Sequence, residues 1–87
     1  MAWSIEKDEW LKINRNIGFN EAVLALIGDG LIDTIDNPSK YFPTQQIFVI
    51  KINNYIYYIP FIEDEEKFFL KTIIPSRKAL KKYLNKL

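Results

Sequence analysis

The stretch that decides the fold is QIFVIKINNYIYYIPFI, residues 46–62. Its Ile, Val, Tyr and Phe content is typical of β-strands, and the pair Asn53-Asn54 divides it in two. Asparagine tolerates positive φ better than most residues, so the pair predicts a tight hairpin between strands over 46–52 and 55–62. Pro60 cannot donate a hydrogen bond to a sheet, so we expect a bulge or an early strand end there.

The flanking sequence extends this hairpin into a sheet. Residues 63–66 are all acidic and predict a solvated turn, after which the apolar stretch 67–74 predicts a third antiparallel strand. Residues 31–36 alternate apolar and acidic side chains and predict a strand upstream, followed by a turn-rich connection over 37–43. We therefore expect an antiparallel sheet of three to four strands.

Helical patterns lie at both ends of the chain. Residues 5–13 form an amphipathic segment with acids in its first turn, and Gly18, with Glu21 three residues later, predicts the start of a second helix that ends at Gly28. Ser76 predicts the N-cap of a short C-terminal helix. Its expected apolar stripe consists of Ala79, Leu80, Tyr83, Leu84 and Leu87, flanked by cations that include Lys86.

Length and composition indicate one folded α+β domain over residues 1–87. The chain is 48% hydrophobic and 15% aromatic, which exceeds the content of a disordered tail. The expected order is two N-terminal helices, the sheet, and a short C-terminal helix.

The charges are divided unevenly along the chain. Residues 67–87 carry seven Lys/Arg and no Asp/Glu, whereas residues 1–66 carry five Lys/Arg and eleven Asp/Glu, although the net charge is only +1. In a compact fold this division concentrates positive potential in one region, which attracts a phosphate backbone or an acidic protein.

The chain contains neither cysteine nor histidine. Disulfides, thiolate metal sites and Ser-His or Cys-His nucleophiles are therefore excluded, and we expect no metal and no cofactor. The first residues carry acids where a secretory signal has a basic stretch, and no run is apolar enough for a membrane span. The expected location is the cytoplasm.

Three stretches resemble the signature sequences of BrnT-type toxins, in the same order and with the same spacing. They are WSIEK at residues 3–7, IGFNEA at 17–22 and IIPSRKA at 73–79. The resemblance implies the RelE-like fold of the RelE/ParE-like superfamily and a ribonuclease that blocks translation. It also implies a cognate antitoxin, usually of the ribbon-helix-helix type, which neutralises the toxin and binds operator DNA as part of the complex.

The resemblance assigns the family's arginine to Arg77, which we expect to be catalytic or to bind phosphate. Where the family usually has a basic residue before the Ile-Ile pair, this chain has Thr72, with Lys71 one position earlier and on the opposite face of a regular strand. Cleavage by the RNA's own 2′-hydroxyl requires stabilisation of the phosphorane charge, which Arg or Lys supplies without a metal.

Strand residues provide the other candidates for the reaction. Lys51 and Lys71 are expected catalytic residues, since a lysine with a lowered pKa, or a tyrosine such as Tyr57 or Tyr58, can assist proton transfer. The residues expected to contact RNA are Lys78, Lys81, Lys82 and Tyr57.

Two other functions fit the same residues. The chain can be an inactive toxin-fold module that binds a nucleic acid or a partner in transcriptional autoregulation, which the presence of Thr72 favours. A membrane-surface role for the cationic helix is disfavoured because its apolar stripe lacks Trp and Phe. Lysines on an amphipathic helix can also be a solvated face with no ligand.

Overall fold

The computed structural model describes residues 1–42 and 44–83. Pro43 of the predicted connection, and Leu84, Lys86 and Leu87 of the predicted last helix, lie outside the described residues. The elements in chain order are β1 (Ala2–Trp3), α1 (Ile5–Arg15), α2 (Phe19–Ile27), β2 (Leu31–Asp36), β3 (Gln46–Ile52), β4 (Tyr55–Glu63), β5 (Phe68–Leu70), β6 (Ile74–Pro75) and α3 (Arg77–Lys82).

The predicted hairpin is confirmed. Strands β3 and β4 pair without interruption from Ile52↔Tyr55 to Gln46↔Phe61. Asn53 and Asn54 have φ values of 52° and 63°, the left-handed conformation that a two-residue turn of this kind requires. The hairpin is thus specified locally, by strand-forming residues on both sides of an asparagine pair.

We expect Asn54→Ala to lower the free energy of unfolding by about 1 kcal/mol, because alanine is strained at positive φ. Asn54→Gly should be neutral or stabilising, because glycine adopts this conformation without strain. Urea denaturation measures both variants. Asn20→Ala, at an exposed position in α2, is the matched control, and an equal loss there would show that the turn is not the cause.

Residues 1–42 and 44–83 form one mixed sheet of six strands, so the prediction of three to four antiparallel strands is wrong in number and partly in direction. The order is β1-β5-β4-β3-β2, with β6 beside β4. Strand β1 pairs with β5 in parallel. The two added strands, β1 and β6, have two residues each, which is too short for an alternating pattern to be detected.

The predicted strand 67–74 is broken into β5 and β6, and this break explains Pro60. Between the pairs Phe61↔Leu70 and Tyr58↔Ile74, residues 59 and 60 of β4 face three residues of the next segment, 71–73. The extra residue is a β-bulge in the segment opposite Pro60. The predicted bulge is therefore present at Pro60, but it lies on the facing segment, and β4 itself continues without interruption to Glu63. The carbonyl of Pro60 accepts the N–H of Lys71 at 2.8 Å, and its ring nitrogen faces the bulge, where no donor is needed.

Both faces of the sheet are covered, and each has its own core. Helices α1 and α2 cover one face, the helix side, whose fully buried residues include Leu11, Phe19, Ile50 and Ile59. Helix α3 covers part of the other face, where it packs on a smaller core. The members of that smaller core are Val49, Ile56, Ala79 and Tyr83.

A contact between the two N-terminal helices fixes the start of α2. Gly18 is the N-cap, and its N–H donates to Glu21 Oε1 at 3.4 Å, as the sequence predicts. Because glycine has no side chain to cap the helix, Asp8 of α1 supplies one: its Oδ1 accepts the N–H of Phe19 at 2.7 Å. Asp8 Oδ2 lies 2.9 Å from Lys12 Nζ.

The radius of gyration, 12.4 Å, is that of a compact chain of this length. Among the described residues, none of the helices combines the length and the apolar content that crossing a membrane requires.

Candidate nucleic-acid interface

Helix α3 is held on the sheet by its first residue and its buried side. Ser76 caps the helix, accepting the N–H of Ala79 on Oγ at 3.0 Å, as predicted. The Ser76 N–H donates to the carbonyl of Ile56 at 3.0 Å, which ties the helix start to β4. Ala79 and Tyr83 are buried on the sheet. Leu80 is half-buried against the same core, and the other four positions of α3 face outward.

The outward positions of α3 are cationic. Arg77, Lys78, Lys81 and Lys82 are all exposed, and Arg77–Lys81 and Lys78–Lys82 are neighbouring pairs one turn apart. Like charges at this spacing repel, and Arg77 and Lys78 also lie at the helix start, where cations are unfavourable. An anionic ligand relieves both kinds of repulsion.

None of these cations is neutralised within the described residues. In the ranges 1–42 and 44–83 the one side-chain ion pair joins Lys12 to Asp8, on the other side of the molecule. Arg77 in particular has no carboxylate partner there, so its guanidinium retains all its donors for a ligand.

The end of α3 is anchored to the outermost strand of the sheet. Tyr83 donates its hydroxyl hydrogen to Asp33 Oδ2 of β2 at 3.0 Å. Burial, followed by the hydrogen bond to Asp33, raises the pKa of the Tyr83 phenol above its ordinary value. This contact joins residues fifty positions apart and fixes the direction in which α3 crosses the sheet.

Lys51 and Lys71 lie on the same face of the sheet as α3. Lys51 pairs with Ile56, part of the smaller core, and Lys71 lies beside Pro60 with its Nζ 5.4 Å from the centre of the Phe69 ring. They are not neighbours. With a rise of about 3.4 Å per residue and about 4.8 Å between strands, their Cα atoms lie roughly 16 Å apart.

Tyr57 is separate from these cations. It lies on the helix side of the sheet, half-buried against the larger core, with its ring 5.6 Å from that of Tyr55 in an edge-to-face contact. Burial raises its pKa above the ordinary value. Tyr58, which alternates with it, packs against the smaller core and is the tyrosine on the same face as Lys51 and Lys71.

The bulge determines the positions of Lys71 and Thr72. In a regular strand the two side chains would face opposite sides, but the extra residue at 71–73 changes the alternation. Thr72 Oγ1 is buried and has no hydrogen-bond partner in the part of the chain that the structure describes. The carbonyl of Ile73 accepts a hydrogen bond from Arg15 Nη1 of α1. Arg15 thus supports the bulge across 58 residues of sequence, a role that no local pattern indicates.

The six exposed or half-exposed cations on this side of the molecule form a surface that we call the cationic face. Its members are Lys51, Lys71, Arg77, Lys78, Lys81 and Lys82. All six are among the candidate residues predicted from the sequence. Two half-buried aromatic rings, Tyr58 and Phe69, lie on the same side of the sheet. The sequence indicated Tyr58 as one of two alternatives and gave no signal for Phe69, because only the register shows which side an aromatic strand residue faces.

The acidic turn after β4 is not a counterpart of this surface. Asp64 Oδ1 accepts the N–H groups of Glu66 and Lys67, both at 2.9 Å, and these bonds lower the pKa of its carboxyl group. Shallow depressions beside this turn are lined by Glu63, Glu65 and Glu66 and would repel phosphate. Within the described ranges no group of three metal-ligating side chains comes together.

Comparison of the chain with family models, with curated proteins and with solved structures found no match in any of the three.

Proposed function

We propose that the protein is the ribonuclease toxin of a type II toxin-antitoxin pair, with a RelE-like fold and with RNA bound across the cationic face. The observation that carries this proposal is the group of six cations on one side of the molecule without a carboxylate partner in the described residues. Such a surface supplies the salt-dependent, sequence-independent part of RNA affinity. The resemblance to BrnT-type toxins supports the same function.

The reaction consistent with these residues is attack of the RNA 2′-hydroxyl on the adjacent phosphate, with release of the 5′-oxygen. Arg77 would stabilise the negative charge of the phosphorane through its guanidinium donors. A lysine would protonate the departing 5′-oxygen, while the proton of the 2′-hydroxyl passes to water. Lys51 is favoured, since Lys51 and the residue before Arg77 both border Ile56.

The same surface is suited to inhibition by an antitoxin. A partner with carboxylates would compete with RNA for the cationic face, and a ribbon-helix-helix antitoxin would bring the complex to operator DNA. In this proposal the pair acts in the cytoplasm, where the RNA is.

A second candidate function is RNA or partner binding without cleavage. The separation of Lys51 from Lys71 favours it. Thr72 favours it too, because it stands where the family usually has a basic residue and its hydroxyl has no hydrogen-bond partner among the residues described. Binding needs distributed charge only, whereas cleavage needs groups that converge on one phosphate.

Expression without a partner in a bacterial host distinguishes the two functions. A toxin should arrest growth and degrade cellular RNA, and the purified protein should cleave RNA in the presence of EDTA. The binding module should be harmless and should bind single-stranded RNA with an affinity that falls with salt, with a log–log slope of about −3 if four phosphates are contacted. A folded protein that neither arrests growth nor binds RNA contradicts the toxin and the RNA-binding module, and leaves partner binding alone as the function.

A further inference from the structure

The outer side of α2 carries apolar residues that the fold leaves uncovered. Leu24 is 67% exposed and Ile27 is 72% exposed, three residues apart on one side of the helix. Leu31, at the start of β2, is 43% exposed and pairs with Ile50 of the larger core, which places its side chain on the same side of the sheet as α2. These three residues form what we call the α2 patch.

The α2 patch lies in the one long part of the sequence without cations. Residues 16–39 contain no Lys or Arg and four acids. Glu21 lies one helical turn before Leu24, and Asp29 lies in the turn between Ile27 and Leu31. The patch is therefore apolar at its centre and negatively charged at its border, the opposite of the cationic face.

The charge at its border selects among possible occupants. RNA and anionic lipid surfaces are repelled by the carboxylates. A second copy in a two-fold contact would bring the same carboxylates against each other, which is unfavourable. An added β-strand along β2 would need the outward N–H groups of that strand, and the N–H of Thr34 is already bound to Asp33 Oδ1 at 2.8 Å.

We propose that the α2 patch is a docking surface for an amphipathic helix of a partner protein, with an apolar stripe flanked by Lys and Arg. Leu24, Ile27 and Leu31 present a row of apolar side chains that the stripe of such a helix can pack against, and Glu21 and Asp29 pair with the flanking cations. This surface lies on the helix side of the sheet, so it is separate from the cationic face and does not depend on RNA binding.

The test uses two synthetic helices of about 18 residues, five turns each, one made of Leu and Lys and the other of Leu and Glu, with the leucines on one side. Fluorescence anisotropy measures their binding to the full chain. The Leu/Lys helix should bind at least about tenfold more tightly than the Leu/Glu helix. Equal binding of the two overturns the proposal.

Matched variants locate the binding. Leu24→Asn/Ile27→Asn should lower the affinity for the Leu/Lys helix about tenfold. The control Ile5→Asn/Ile13→Asn, at positions 73% and 83% exposed on α1, should change that affinity less than about twofold. Glu21→Gln/Asp29→Asn, at the border of the α2 patch, should lower the affinity for the Leu/Lys helix to a similar extent. The matched control Glu65→Gln/Glu66→Gln, in the acidic turn after β4, should leave that affinity unchanged. Because all these residues are exposed, circular dichroism should show each variant folded.

Two results would overturn the proposal. The first is a loss of affinity in the α1 or acidic-turn variants as large as in the α2 patch variants, which would show that the Leu/Lys helix binds wherever charge or apolar surface is available. A concentration-dependent dimer that disappears in Leu24→Asn/Ile27→Asn would assign the patch to a second copy of the chain.

Discussion

Replacing Arg77 with alanine should lower the rate of RNA cleavage by about a hundredfold, the effect of removing one donor to the charge that develops in a transition state. The backbone at Arg77 is held by the Ser76 cap and by the hydrogen bond from Ser76 to Ile56, so the substitution leaves the helix in place. A guanidinium with no carboxylate partner among the described residues is suited to a phosphorane, which presents several oxygens at once.

The measurement is cleavage of a labelled RNA under single-turnover conditions, beside the affinity for the same RNA with its 2′-hydroxyl removed at the scissile position. Arg77→Ala should reduce the rate of the bound complex far more than the affinity. Arg77→Lys should recover part of the rate, because the charge remains and the two-pronged donor geometry is lost.

The neighbouring cation Lys78 is the matched control. Lys78→Ala removes the same charge one residue away and should weaken RNA binding severalfold, with little effect on the rate of the bound complex. If Arg77→Ala and Lys78→Ala behave alike, Arg77 has no special role, and binding without catalysis becomes the better account of the cationic face.

The sequence predicted the parts of this fold that depend on local signals. The asparagine pair at 53–54, the Ser76 cap and the Gly18–Glu21 pair all involve residues within a few positions of each other, and all are confirmed. The same holds for the exposure of Arg77, Lys78, Lys81 and Lys82, since helical periodicity places them beside the stripe that contains Ala79 and Leu80.

The parts that the sequence did not predict depend on contacts between distant residues. Tyr83 with Asp33 and Arg15 with Ile73 join positions at least fifty residues apart, and neither pair leaves a periodic trace. The bulge lies at 71–73 and not in β4. Pro60 can pair on the side where it needs no donor, so the extra residue is accommodated in the segment that faces it. A sequence shows that proline must be accommodated but not which strand accommodates it.

The two faces of the sheet account for the division of the tyrosine candidates. Tyr57 and Tyr58 are adjacent in a regular strand and so must face opposite sides. The pairing of β4 with β3 places Tyr57 with the larger core and Tyr58 with the smaller one. If a tyrosine assists RNA binding or cleavage at the cationic face, that residue is Tyr58.

Removing the Asp8 carboxylate should destabilise the protein, with a loss of about 2 to 3 kcal/mol for Asp8→Ala. The substitution leaves the N–H of Phe19 buried without an acceptor at the start of α2, because Gly18 offers no side chain in its place. It also breaks the pair with Lys12. Asp8→Asn should cost less, because the amide oxygen can still accept from Phe19 while the negative charge at the helix start is lost.

The charge of Asp8 also makes stability depend on pH. The hydrogen bond from Phe19, followed by the contacts with Lys12, lowers the pKa of Asp8 below its ordinary value despite its burial. A lowered folded-state pKa means that the contribution is fully present above the unfolded pKa, about 3.9, and is lost as the pH falls through the folded pKa. The difference in stability between the wild type and Asp8→Asn should therefore be constant near neutrality and shrink below about pH 4.

Urea denaturation between about pH 2.5 and pH 7 measures this difference, and subtraction removes the contribution of Asp64, which is common to both proteins. Asp36→Asn, at an exposed carboxylate on β2, is the control and should stay within about 0.5 kcal/mol of the wild type. A gap between wild type and Asp8→Asn that stays the same at acid pH would mean that the charge of Asp8 does not stabilise α2. The lower stability of Asp8→Asn would then come from a less favourable fit of the amide group. The N-terminal cap of α2 would depend only on the hydrogen bond from the N–H of Phe19.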